Sequence, residues 1–125
     1  MYCDTNFEKV ADFMRTFGQD VLTTPQFPSL RTQKMRYDLI EEELEELGEA
    51  LGKQDLVAIA DAFTDLLYVV YGGGHAFGID LDKCFAHIHG SNMSKLGPDG
   101  KPIFREDGKV LKGPDYWSPE LKEHM

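Results

Sequence analysis

Cysteine is scarce in this chain: Cys3 and Cys84 are its only two in 125 residues. They form neither a CxxC pair nor a zinc-ligand spacing. That excludes a disulfide-stapled scaffold and a cysteine zinc finger, and both are expected to be small hydrophobes in a reducing compartment. Positive charge is also short, with 13 Lys+Arg against 22 Asp+Glu and a formal net charge of −9. A nucleic-acid polymer needs a basic footprint to neutralise its phosphates, so that class of partner is excluded. Small nucleotides are not, because an anionic protein holds them through bridging divalent cations. The longest uninterrupted apolar run, Leu66 to Tyr71, is far below the roughly 20 residues of a membrane helix. The first residues, Met1-Tyr2-Cys3-Asp4, carry neither the basic patch nor the apolar core of a targeting signal, so a cytoplasmic address is expected. There is no Gly-x-x-x-x-Gly-Lys-Ser/Thr loop and no Glu-x-x-His pair. P-loop nucleotide binding and ferritin-like di-iron chemistry are thereby removed. His87 and His89 are two apart, so on a helix they face away from each other and make a poor zinc pair.

With 42% hydrophobic and 28% charged residues, the chain is read as one globular domain over 1–125, a helical body to about residue 95 and then a tail. Phe7, Val10, Phe13, Met14 and Phe17 recur at helical spacing over about 5–17, with Asp4 or Thr5 as N-cap and Gly18 as the stop. A second helix is predicted from about Ser29 to Leu51. Its stripe of Ile40, Leu44, Leu47 and Leu51 is what a bundle helix buries, and Gly52 is the expected end. A third runs from about Asp55 to at least Tyr71. Its apolar residues cover nearly the whole circumference, as in a central helix or one buried between subunits. Gly72-Gly73-Gly74 should weaken or kink its end. A fourth spans Leu81 to Met93 behind Asp80, with Phe85, Ile88 and Met93 toward the inside. Beyond it, Pro98-Asp99-Gly100 and Asp107-Gly108 are turn signals. They predict a short hairpin over 103–111, then an irregular end from Pro114. The fold class is all-α: a bundle of about four helices with a C-terminal hairpin and irregular tail.

The acids gather in the helical body, while the tail brings Lys95, Lys101, Arg105, Lys109, Lys112 and Lys122. On the second helix, Glu42, Glu43 and Glu46 fall within an arc of roughly 100°. Glu43 flanks the apolar stripe, so a carboxylate must point toward another helix. Taken alone, such a run is usually a solvated face. The third helix shifts that balance. Asp61 and Asp65, four apart on one face of an otherwise apolar helix, require partners. Those partners are Lys34 or Arg36, or a divalent metal shared with the facing glutamates. Mg²⁺ or Mn²⁺ suits such oxygen ligands.

Glu42-Glu43-x-x-Glu46, followed by Asp61-x-x-x-Asp65-Leu-Leu-Tyr-Val-Val-Tyr-Gly, resembles the all-α nucleoside triphosphate pyrophosphohydrolases. The likeness is to small MazG-like and phosphoribosyl-ATP pyrophosphohydrolase-like members, several of them from phages. His89-x-Ser91-Asn92-Met93-Ser94-Lys95 and Asp107-Gly108-Lys109-x-x-Lys112 resemble that subgroup too, over about residues 30–117. The resemblance implies an intertwined dimer or dimer of dimers, and hydrolysis of a nucleotide between its α and β phosphates. It implies metal held at Glu42, Glu43, Glu46 and Asp65, and phosphate contacts from Asn92, Lys95 and the tail lysines. Two positions depart from the pattern. The family's Glu-x-x-Asp has Ala62 in its first place, with Asp61 one residue earlier, and Gly90 stands where close relatives are expected to carry Arg.

Chemistry read from the residues agrees. A triphosphate repels nucleophiles until its charge is neutralised, which divalent cations do. Glu43 or Glu46 would accept the proton of the attacking water. Lys95 with Lys109 or Lys112 would hold charge developing on the phosphates. Phe13, Phe17 and Gln19 are candidates for stacking on and reading a base, though the two aromatics fit a core equally well. Within the phage-like subgroup dGTP is a reasonable substrate. Phosphoribosyl-ATP, and a non-catalytic acidic helical dimer acting as an interaction module, are the alternatives.

Overall fold

Each helix starts at a residue able to satisfy its free N–H groups. Thr5 Oγ1 accepts from the Glu8 N–H at 3.1 Å and Ser29 Oγ from the Thr32 N–H at 3.2 Å. Asp55 accepts from Val57 and Ala58, and Asp80 from Lys83. Caps of this kind are worth about 1 kcal/mol each. The computed structural model describes residues 5–125; Cys3, and Asp4 as a cap, lie outside them. The helices are α1 (Asn6–Thr16), α2 (Leu30–Lys53), α3 (Leu56–Phe77) and α4 (Leu81–Met93). Strands β1 (Ile103–Phe104) and β2 (Val110–Leu111) pair antiparallel, Ile103 opposite Leu111 and Phe104 opposite Val110. The all-α class and the predicted hairpin both stand.

Two helix ends differ from expectation. Gly52 does not stop α2, which runs one residue further; Gln54 takes the left-handed turn instead, at φ 52°. The three glycines do not break α3, which passes straight through them to Phe77. Gly72 is used for close packing, while Gly73 faces open space. A Cβ at Gly72 would lie 2.6 Å from Arg36 Nη1. The true stop is Gly78, at φ +68°, where a Cβ would lie 2.0 Å from the Thr24 carbonyl oxygen. Only glycine fits that left-handed, crowded position.

The chain forms two compact units, divided after Ile79. In the first, α2 and α3 pack as a hairpin joined through Gln54 and Asp55. Phe7, Val10, Ala11 and Met14 of α1 form its core with Ala50, Ala62 and Ala76. The Phe7 ring stacks on buried His75 at 3.8 Å, and His75 Nε2 lies 2.7 Å from the Phe7 carbonyl oxygen. Of the two readings of α3's apolar circumference, the central helix wrapped by its own chain is the one corrected. Leu56, Val57, Phe63, Leu67 and Val70 are exposed, and so are Leu44 and Leu51 of the α2 stripe. The reason is coverage: α1 has 11 residues against 24 and 22 in the long pair, so it shields only one side. By length and composition alone α3 could cross a membrane, with 22 residues and a mean hydropathy of 1.4. Asp61 and Asp65 oppose that, since a carboxylate at mid-bilayer costs about 3 kcal/mol.

The second unit is α4 with the tail. Here the inward face is not the expected one, and Phe85 is 73% exposed, with Ile88 and Met93 also outward. The tail instead packs on the helical stripe Cys84, His87, Ser91 and Ser94. Ser91 Oγ donates to the Trp117 carbonyl at 2.8 Å, and the Trp117 N–H donates to Ser94 Oγ at 3.1 Å. The Trp117 ring lies on bare Gly90, where a Cβ would sit 3.2 Å from it. His87 Nε2 accepts from the Glu120 N–H at 3.0 Å, and its ring stacks on His124 at 4.0 Å. Buried Cys84 is a free thiol whose pKa is raised by burial and then by Asp80. It behaves as the small hydrophobe expected.

Candidate active site

The α2–α3 hairpin places three carboxylates together. Glu43 and Glu46, three apart on α2, face Asp65 on α3, with one oxygen of each within 4.8 Å of the others. Glu43 is half-buried. Its Oε2 is inaccessible and has no hydrogen-bond partner among the described residues. Burial, then the neighbouring Glu46, then Asp65 and Asp61, push its pKa up to about 7. Burial, with Asp61 and Glu46 behind it, raises Asp65 as well.

The cationic partners weighed for these acids go elsewhere. Lys34 pairs with Asp38 at 2.7 Å, and Arg36 Nη2 donates to Gln19 Oε1 at 3.2 Å. Like charges gathered without a counter-charge fit a hard divalent cation, and three carboxylate oxygens are the donors Mg²⁺ or Mn²⁺ takes. A buried, unpartnered oxygen on Glu43 fits the same use.

The other acidic candidates sit around this triad. Glu42 is exposed on α2. Asp61 is exposed one turn before Asp65, close enough to raise both half-buried acids. Ala62, in place of the family's glutamate, is buried. Its place is on a recess of about 150 Å³ shared with Glu46, Glu49, Lys53 and Asp61. Glu49 went unremarked in the sequence. Its signal was the 42-46-49 spacing, which continues the acidic face by one turn.

Phe13 and Phe17 are not core: they lean on each other at 4.4 Å, exposed, with Phe13 edge-on to Tyr68. Gln19 parts from them and lines a cavity of about 470 Å³ with Arg36. In the second unit Asn92 is exposed and Lys95 half-buried, its carbonyl accepting from Gly113. Lys109 lies in the hairpin turn and Lys112 Nζ sits 4.8 Å over the Tyr116 ring. Arg105 is held by Asp107, so the tail cations are not all mobile.

Comparison with known proteins agrees with this geometry. A family model described as phosphoribosyl-ATP pyrophosphohydrolase matches residues 10–92, a range that includes all three clustered carboxylates. An uncharacterized protein of Acanthamoeba polyphaga mimivirus is 39% identical over 112 residues, covering 86% of this chain. The chain spans about two fifths of that relative, 42% of its length. A crystal structure from Exiguobacterium sp. 255-15, named a "putative NTP pyrophosphohydrolase", superposes with a TM-score of 0.52 at 26% identity. That match covers 96% of this chain and 92% of the other. With a paired-helix acidic site and a family match over most of its length, the chain belongs to the phosphoribosyl-ATP pyrophosphohydrolase family of the all-α, MazG-like superfamily.

Proposed function

We propose that the chain is a divalent-metal-dependent nucleoside triphosphate pyrophosphohydrolase. It would cleave a (deoxy)nucleoside triphosphate between the α and β phosphates, releasing (d)NMP and pyrophosphate, with dGTP as one candidate substrate. The observation that carries this reading is the Glu43–Glu46–Asp65 cluster, three oxygens within 4.8 Å with no cationic side chain paired to them among the described residues. Glu43, Glu46 and Asp65 would hold Mg²⁺ or Mn²⁺, with Glu42 and Asp61 at the margin. Bound there, the ion supplies charge neutralisation and Lewis acidity toward the triphosphate.

The protein groups do the rest. Glu43 or Glu46 would take the proton of the attacking water, and the buried, unpartnered Oε2 of Glu43 favours Glu43. Water adds to phosphorus, the bridging P–O bond breaks, and pyrophosphate leaves with that oxygen. Asn92, Lys95, Lys109 and Lys112 would orient the phosphates and take up charge on the leaving group. The exposed apolar residues of α2 and α3, Leu44, Leu51, Phe63, Leu67 and Val70 among them, fit burial against a second copy of the chain. The form proposed is a homodimer or dimer of dimers, with the cytoplasm as its expected place.

A second reading, phosphoribosyl-ATP as the substrate, is favoured by the family description over residues 10–92. One experiment decides between them: eight (d)NTPs and phosphoribosyl-ATP with Mg²⁺, monophosphate and pyrophosphate measured separately. Monophosphate with intact pyrophosphate from dGTP supports the proposal, and turnover of phosphoribosyl-ATP alone moves it to the second reading. Diphosphate with orthophosphate refutes the reaction class. No turnover at all leaves a non-catalytic acidic helical dimer.

A further inference from the structure

The carboxylate cluster accounts for neither Arg36 nor the cavity beside it. Arg36 is 7% exposed. Its Nη2 reaches Gln19 Oε1 at 3.2 Å, but its Nε has no hydrogen-bond partner among the described residues. The ion pairs among those residues are Lys34–Asp38 and Arg105–Asp107, so no carboxylate neutralises it. A buried charge without a counter-charge costs several kcal/mol. An unmet buried donor adds roughly 1–3 kcal/mol. The fold nevertheless makes room for this side chain, keeping α3 bare at Gly72 where a Cβ would lie 2.6 Å from Nη1.

Arg36 lines a cavity of about 470 Å³ together with Gln19, Asp20, Thr32, Met35 and Ala76. That size lies within the roughly 300–1,000 Å³ of small-molecule sites. Its place along the hairpin is informative. Arg36 and Glu43 are seven residues apart on α2, and Gly72 and Asp65 are seven apart on α3. Two helical turns return to the same face about 10.5 Å along the axis. A nucleotide laid along these helices with its phosphates at the carboxylates would carry its base to the level of Arg36.

The donors and acceptors select the base. Arg36 offers N–H groups and Asp20 offers only acceptors. Guanine presents two neighbouring acceptors, O6 and N7, which suit a guanidinium, and its N1–H and N2–H₂ suit a carboxylate. Adenine and cytosine bring an amino donor to the edge where guanine has O6, and thymine lacks the N7 acceptor. The geometry points to this cavity as a guanine seat in which Arg36 and Asp20 determine specificity. The inference rests on the nucleotide reading above and deepens it.

The test uses the full chain and separates binding from turnover. Binding of dGMP, 7-deaza-dGMP, dAMP, dCMP and dTMP is measured by calorimetry in EDTA, and kcat/KM for the four dNTPs with Mg²⁺. The expected result is dGMP binding at least tenfold tighter than the other natural bases, with a loss of about tenfold on removing N7. Arg36→Lys alters a buried residue and tests folding as well as recognition, so Asp20→Asn on the exposed connection is the second probe. It should erase most of the guanine preference through KM. Equal binding of all four natural monophosphates, or a preference unmoved by Asp20→Asn, overturns the assignment. Turnover without guanine preference sinks the cavity and spares the pyrophosphohydrolase reading. Guanine binding without turnover of any nucleotide does the reverse.

Discussion

Replacing Glu43 by Gln should stabilise the metal-free protein at neutral pH, although it removes a residue the enzyme needs. Unfolded, Glu43 titrates near its ordinary 4.5; folded, it keeps its proton to about 7. Between these values the native chain binds more protons than the unfolded chain, so stability falls as pH rises. The penalty is absent below about 4.5 and complete above about 7. Partial solvent access and sharing of the proton with Glu46 reduce the full shift to roughly 1–3 kcal/mol. Gln resembles the protonated acid and escapes that penalty. In EDTA at pH 8, Glu43→Gln should therefore melt about 3 °C or more above wild type. The two should converge by pH 4.5. Adding Mg²⁺ or Mn²⁺ in large excess should reverse the order, because a ligand at about 1,000 times its Kd adds about 4.1 kcal/mol to the protein that binds it. Differential scanning fluorimetry across pH, with and without metal, reads all of this. A Glu43→Gln variant that melts at or below wild type at pH 8 in EDTA would refute the argument from crowded carboxylates.

Three further outcomes are expected. Gly78→Ala should destabilise the first unit by about 2 kcal/mol or more in urea unfolding, since it forces a left-handed residue against the Thr24 carbonyl. Gly90→Arg should displace Trp117, the single tryptophan of the chain, and its emission should shift to the red of wild type; unchanged emission would mean the ring does not rest on Gly90. Phe63→Asp, on the exposed face of α3, should lower the mass seen by sedimentation to that of one chain if that face holds a second copy.

Much of the fold was legible because caps and periodicity acted locally. Asp80 as the fourth cap and Asp107-Gly108 as the hairpin turn were visible from residue type alone. The acidic triad was legible because residues on two consecutive helices pointed the same way. What escaped were features set by distant partners. Gly72-Gly73-Gly74 reads as a break by propensity, yet the helix continues through it, with Gly72 set close against Arg36. The face of α4 was misread because hydrophobicity named Phe85, Ile88 and Met93, while the tail selects the small and hydrogen-bonding side chains Cys84, Ser91 and Ser94. Arg36 was weighed, with Lys34, as a partner for the aspartates in the alternative to a metal. Only the folded chain shows it turned toward Gln19.

The two-residue link between α2 and α3 has a kinetic consequence. Glu43 and Asp65 are separated by a short stretch of chain, and closing so small a loop costs little entropy. Contacts close in sequence form early, and those that must wait for remote segments form late. The acidic pair thus belongs to the part of the molecule able to assemble first, as one helical hairpin. The same economy makes its register fragile. One residue inserted within α3 between Leu56 and Asp65 would turn every later position of the helix by about 100° against those before it, and Asp65 would leave Glu43 without any change to either residue.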